Sequence, residues 1–247
     1  MLKISGQIKG VLGKGNFWTT KEIEIDSPIT IEGKKYKNLV CKFSNKKFRY
    51  NIGKNLKKYH NIKRAGLPTL LFLKYGVFEG EECLVTENLN NRPDTLYVSP
   101  NTSTEKPNPI FIALSNRTYD YIPSINEKYL SEHKIQELVE FETFLNHLKG
   151  IVNDATLGKL GLCADAWFFG VNKRTYSQLV DCIIGDFDNI LKDDDDEEDF
   201  EDLFKRNMGE TTTALYEFVQ KFVVEDKQQK HLDNILSWSN DNQISNI

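Results

Sequence analysis

Four places in the chain hold residue types able to do chemistry: Gly13 and Gly15 in "LGKGNF", Lys42 closing "LVCK", Asp165 in "CADAW", and Asp186 in "IIGDFDN". Two glycines one residue apart make either a tight hairpin turn or a loop whose backbone N–H groups approach phosphate oxygens without a Cβ in the way. Lys42 follows Leu39, Val40 and Cys41, and apolar neighbours on both sides favour a buried, paired lysine over an exposed one. An Asp that ends an apolar run, as Asp186 does, is costly unless it is paired or metal-bound. Asp165, between Cys163 and Trp167, reads as either a turn carboxylate or a reactive one.

Such groups need elements to hold them. The first third alternates as antiparallel strands do, in "KISGQIKGVLG", "FWTTKEIEI", "ITIEG" and "YKNLVCKFS". Leu56, Tyr59, Ile62 and Ala65 recur at helical spacing within residues 51–66, and Gly66 and Pro68 stop that helix. "LLFLKYGVF" and "EECLVTENL" read as two further strands around the turn "EGE". Residues 90–125, rich in Asn, Pro, Ser and Thr, read as a linker or insertion with one short strand near "IFIAL". A long amphipathic helix is expected from about Ser131, then a hairpin of "WFFGVN" and "LVDCIIGDFDN" joined by "KRTYSQ". A last helical region covers about 199–238, interrupted near Glu225 to Gln228. The order gives an α+β, two-lobe plan: an N-lobe at 1–89, a linker at 90–130 and a reduced helical lobe at 131–247.

The 247 residues suffice for a sizeable core, and 39% apolar with 28% charged residues is an ordinary globular balance. No 18-residue apolar run exists, so no membrane span is expected, and "MLKISGQIKG" lacks the apolar core of a secretory signal. A cytoplasmic setting follows as the expectation, with Cys41, Cys83, Cys163 and Cys182 reduced and, lacking metal-ligand spacing, not a zinc site. No Asp or Glu occurs between Gly33 and Phe78, whereas "KDDDDEEDFED" at 192–202 is almost wholly acidic. The acidic run reads as a solvated loop and helix start. The basic window interleaves Tyr36, Phe43, Phe48, Tyr50 and Tyr59 with lysines, a pattern open to nucleic acid or an anionic surface. In strands and amphipathic helices such aromatics belong more often to the core, which makes nucleic acid the weaker reading.

With that order in hand, "LGKGNF" resembles the glycine-rich loop of protein kinases, and "LVCK" resembles their lysine-bearing third strand. "LVTENL" looks like the end of the fifth strand and the hinge, "CADAWFFGV" sits where such a fold has its catalytic loop, and "IIGDFDN" resembles the metal-binding DFG segment. The resemblance covers roughly residues 1–90 and 130–192. It implies a two-lobe kinase-like fold with an antiparallel five-stranded N-lobe, and a divergent ATP- and Mg²⁺-dependent phosphotransferase acting on a protein hydroxyl. By the same resemblance Gly13 and Gly15 bind the phosphates, Lys42 the α and β phosphates, Glu87 and Leu89 the base, and Asp186 the Mg²⁺. Asp165 accepts or orients the proton of the attacking hydroxyl.

The departures define the alternatives. Trp18 replaces the third glycine of the loop, and Thr20 replaces the usual valine. The helix after Lys42 has no acidic residue to pair with it, leaving Asp186 as one candidate partner. The catalytic loop reads Cys-Ala-Asp, and Gly170 stands where a metal-binding Asn is usual, with Asn172 two residues beyond. No Ala-Pro-Glu follows Asp186. The chain therefore resembles a minimal kinase of the bacterial-effector or viral kind; the alternatives are a nucleotide- or protein-binding pseudokinase and a small-molecule kinase.

Overall fold

The computed structural model describes residues 1–14, 18–44, 52–100, 122–187, 190 and 199–244. The chain is mixed α+β, with a curled six-stranded sheet, a three-stranded sheet and five α-helices among the described residues. It divides into two compact units. The first comprises the described residues of Met1–Lys57, Leu70–Asn91 and Thr102–Ile125; the second comprises those of Lys58–Thr69, Arg92–Asn101 and Asn126–Ile247.

The first unit holds β1 (Leu2–Ile4), β2 (Gly6–Lys14), β3 (Trp18–Ile31), β4 (Lys34–Ser44), β5 (Leu73–Phe78) and β6 (Glu81–Thr86). Their order is β1-β5-β6-β4-β3-β2, with β1 parallel to β5 and every other pairing antiparallel. This corrects the expectation of five antiparallel strands. The run read as one strand changes partner at Ser5: Leu2–Ile4 pairs with β5, and Gly6–Lys14 pairs with β3. Gly6 permits the crossing, because a Cβ there would lie 2.2 Å from the Glu24 carbonyl oxygen. Beside it, Asp26 N donates to Ser5 O at 3.0 Å. One stretch thus supplies both edges of the curled sheet.

Two tight turns fix the register. Glu32–Gly33 and Glu79–Gly80 all have positive φ, as two-residue hairpin turns of this hand require. Cross-strand pairing then sends Ile23, Ile25, Leu39, Cys41, Phe43, Cys83, Val85 and Phe78 to one face, where they form a buried core with Ile4. Burial of each large apolar side chain contributes roughly 1.5–3 kcal/mol. The opposite face carries Trp18, Thr20 and Glu22, with Lys42 and Val40 beside them and Leu84 and Thr86 beyond. α1 (Ile52–Arg64) connects β4 towards β5, buries Tyr59 and Ile62, and ends in left-handed Gly66 with Leu67 N donating to Ile62 O. The boundary between the units falls within α1.

The second unit contains α2 (Ile125–Glu132) from Asn126 onward, α3 (Phe141–Leu157), α4 (Phe200–Phe222) and α5 (Glu225–Ile244), with the strands β7 (Thr95–Val98), β8 (Trp167–Asn172) and β9 (Leu179–Ile184). The hairpin of β8 and β9 is the one expected, and β7 adds antiparallel to its outer side. β7 lies inside the stretch read as linker. The single long helix expected from Ser131 is instead two helices. Residues 133–140 leave the helical path because Ile135 bridges to Val223, donating to Phe222 O at 2.7 Å and accepting from Val224 N at 2.9 Å. Leu138 N donates to His231 Nε2 at 3.2 Å, and left-handed Glu140 re-enters the helix.

The interior of this unit is a chain of rings centred on Phe169, which stacks on Trp167 and meets Phe144 and Phe218 edge-on. Asp199 caps α4, its Oδ1 accepting from Asp202 N at 2.9 Å, so the end of the acidic run does start a helix. All four thiols are free, with Cys41, Cys83 and Cys182 buried. Among the described residues no helix is long and apolar enough to cross a membrane.

Candidate active site

In the second unit the register of one hairpin governs the chemistry. Trp167 pairs with Ile184 at the open end of β8 and β9. Asp165 stands two residues before Trp167 and Asp186 two after Ile184, so both aspartates stand at the same end of the hairpin. Ala166 O ties the two segments together, accepting from Gly185 N at 3.0 Å and Asp186 N at 3.4 Å. Gly185 is needed there, since a Cβ would lie 2.8 Å from the Phe168 ring. A 3-10 turn, Ala164–Ala166, presents Asp165, and both aspartates are half-buried.

The surroundings hold that end in place. Thr69 Oγ1 donates to Ile184 O at 2.7 Å, and Ile184 N donates to Pro68 O at 2.9 Å. Phe187 is buried, with its ring 5.7 Å from Tyr59 in an edge-on contact. Behind the loop, Asn207 Oδ1 accepts from Leu162 N at 2.7 Å, while its Nδ2 donates to Leu160 O and Thr156 Oγ1. One turn further along α4, Glu210 Oε2 accepts from Ala164 N at 2.8 Å. Burial, with Glu210 and Asp165 nearby, pushes the Cys163 thiol up to about 11, opposed by Arg206 and Lys58. Cys163 is thus a neutral thiol, and Lys58, Arg206 and Glu210 join Asp165 as the charged groups around it.

Sequence reading had missed Asn207, Glu210 and Lys58. A signal for Asn207 existed: Leu203, Phe204, Met208, Ala214, Leu215 and Phe218 trace the buried stripe of α4, and Asn207 falls within it. A polar side chain on an apolar stripe implies buried hydrogen bonds to be made.

In the first unit, cross-strand pairing aligns Gly13, Thr20, Lys42 and Leu84 in one row over four strands. Gly13 and Lys42 are two strand spacings apart, about 10 Å. Among the described residues a Cβ on Gly13 would meet only Ile122 O, at 3.5 Å, so their packing does not demand glycine there. The Lys14 N–H is occupied by Ile122 O at 3.1 Å. Gly15 lies outside the described residues, as do Asp188 and Asn189 and most of the acidic run.

Lys42 is half-buried, with its ammonium 5.8 Å from the centroid of the buried Trp18 ring. Among the described residues of this unit no carboxylate pairs with it. Glu87 is buried and its Oε1 accepts from Leu71 N at 2.7 Å. Next to it, Asn88 Nδ2 donates to Glu22 Oε1 at 2.8 Å, and Leu89 opens the 3-10 turn Leu89–Asn91. The carboxylate of Glu87 thus accepts from the protein's own backbone.

Gly170 and Asn172 are strand residues. A Cβ on Gly170 would strike Thr95 Cγ2 at 2.6 Å. Asn172 ends β8 at the turn, where its Oδ1 accepts from Arg174 N at 2.8 Å. It lies at the opposite end of β8 from Asp165.

No protein-family model matches the sequence, and comparison with curated proteins found no match. Among solved structures, the chain is similar to a Helicobacter pylori proinflammatory kinase, CtkA, at 10% identity and a TM-score of 0.45, over 100% of this chain and 97% of that one. A likeness at that level assigns neither activity nor substrate.

Proposed function

We propose that the chain is a divergent ATP- and Mg²⁺-dependent phosphotransferase of kinase-like architecture, acting on a protein hydroxyl. The observation that carries this reading is the β8–β9 register, which brings Asp165 and Asp186 to one end of a hairpin. The strand succession of the first unit supports it: a hairpin pair, the strand bearing Lys42, a helix, and two more strands, with Gly13 and Lys42 in one row.

The donor chemistry fits. Mg²⁺ characteristically takes one or two carboxylates and completes its shell with water and phosphate oxygens. Asp186 would hold it, and the bound ion would supply neutralisation of polyphosphate charge. Lys42 would add a second positive charge, and Asp165 would orient the acceptor hydroxyl and take its proton. Glu210 and Asn207 would keep the Asp165 loop in place.

A nucleotide- or protein-binding pseudokinase is the second reading, favoured by Asn172. Its position at the turn end of β8 leaves the usual second metal-binding amide without a substitute on that strand.

Thermal shift with ATP, with and without Mg²⁺, tests both on wild type, Lys42→Ala and Asp186→Ala. Stabilisation that needs the metal and both side chains supports the phosphotransferase. Metal-independent stabilisation that survives Asp186→Ala supports the pseudokinase. No stabilisation of wild type removes both nucleotide readings.

A further inference from the structure

We infer that Trp18 is the positioning residue for Lys42, replacing a carboxylate partner with the face of an indole ring; this rests on the phosphotransferase reading. Three observations converge within the first unit. Trp18 pairs with Ser44 and Thr20 with Lys42, which puts ring and ammonium on the same face of the sheet. The ammonium lies 5.8 Å from the ring centroid, within the range of cation–π attraction, and Trp is the most effective aromatic partner for it. No acidic residue occurs in α1, and none elsewhere in the described part of this unit pairs with Lys42.

The chemistry of such a holder differs from that of a carboxylate. A glutamate cancels part of the lysine charge and competes with phosphate for its N–H groups. An indole face orients the ammonium yet accepts none of its N–H groups in a strong hydrogen bond, so three donors and a full positive charge remain for an anion. Trp18 is 6% exposed and itself anchored, so the ring is a fixed surface. The bulk at this position, which in a glycine-rich loop looks like an obstruction, is then what sets the lysine.

The test is Mg²⁺–ATP affinity by calorimetry for wild type, Trp18→Tyr, Trp18→Phe and Trp18→Leu, each repeated in a Lys42→Met background. The expected result is a graded loss in the order Tyr, Phe, Leu, reaching about tenfold for Leu, a step typical of one such contact. In the Lys42→Met background the same changes should move affinity less than twofold. In ligand-free protein, ring-current shifts of the Lys42 Cε protons should be present in wild type and absent in Trp18→Leu. Equal losses in both backgrounds would make the ring merely structural and overturn the inference while leaving the phosphotransferase reading intact. If Trp18→Leu fails to fold, a flat Tyr–Phe series overturns it. If wild type binds no nucleotide, the phosphotransferase reading itself fails and the inference with it.

Discussion

Asn207 Oδ1 accepts the Leu162 N–H at 2.7 Å across 45 residues of sequence, and the same side chain donates to Leu160 O and Thr156 Oγ1. One fully buried amide therefore satisfies both the end of α3 and the loop that presents Asp165.

Asn207→Leu should destabilise the protein by about 2–4 kcal/mol, because it strands buried partners in addition to losing its own bonds. Urea denaturation reads this directly. Glu210→Gln keeps an oxygen facing Ala164 N and should cost under about 1 kcal/mol. Glu210→Ala should cost more and lower any phosphotransfer rate disproportionately.

Glycines on the first sheet should respond in opposite ways. A Cβ on Gly76 would lie 2.4 Å from Val85 Cγ2 and 3.3 Å from Leu2 O, so Gly76→Ala should cost about 1–3 kcal/mol by overpacking. Gly13→Ala should leave the melting temperature nearly unchanged and, on the proposed function, weaken nucleotide binding. Loss of stability at Gly13 with no effect on nucleotide would make it a hairpin glycine only.

His231 gives a pH signature. Burial lowers its pKa, helped by Lys230 and opposed by Glu137, and the neutral ring accepts the Leu138 N–H on Nε2. An unfolded histidine titrates near 6.5, so the folded state binds the proton less readily than the unfolded state. The associated stability should be complete above about pH 7 and lost as pH falls below about 6.5 through the depressed folded value. Melting temperatures from pH 8 to 5 should show this decline, and His231→Gln should flatten it.

Asn172→Ala should not alter the metal dependence of nucleotide binding, since the side chain caps a turn at the far end of β8. A loss of metal dependence would make Asn172 a candidate ligand.

Much of this was legible before the fold. The β8–β9 hairpin, the helix ending at Gly66 and the EG turn of β5–β6 all follow from local pattern and turn chemistry. The two aspartates were legible as residue types, though their meeting at one end depends on a register that sequence spacing does not print. Other features were hidden for physical reasons. β7 is only four residues long and its partner lies some seventy residues away, so "TLYV" carried a weak signal among Asn and Pro. The break between α2 and α3 depends on Ile135 meeting Val223, a tertiary contact that overrides helical periodicity. The Trp18–Lys42 approach needed the pairing of β3 with β4 before a glycine-loop substitution became a contact.

The strand that changes partner at Ser5 has a kinetic consequence. Pairing residue 2 with residue 76 requires closing nearly the whole first unit, whereas the Glu32–Gly33 and Glu79–Gly80 hairpins form locally. Loop closure is an entropic cost met before the contact rewards it, so the parallel seam should zip last. Leu2→Ala should then accelerate unfolding and leave the folding rate almost unchanged, a pattern stopped-flow measurements would reveal. The amino-terminal residues would act as a latch on a sheet already assembled rather than as its nucleus.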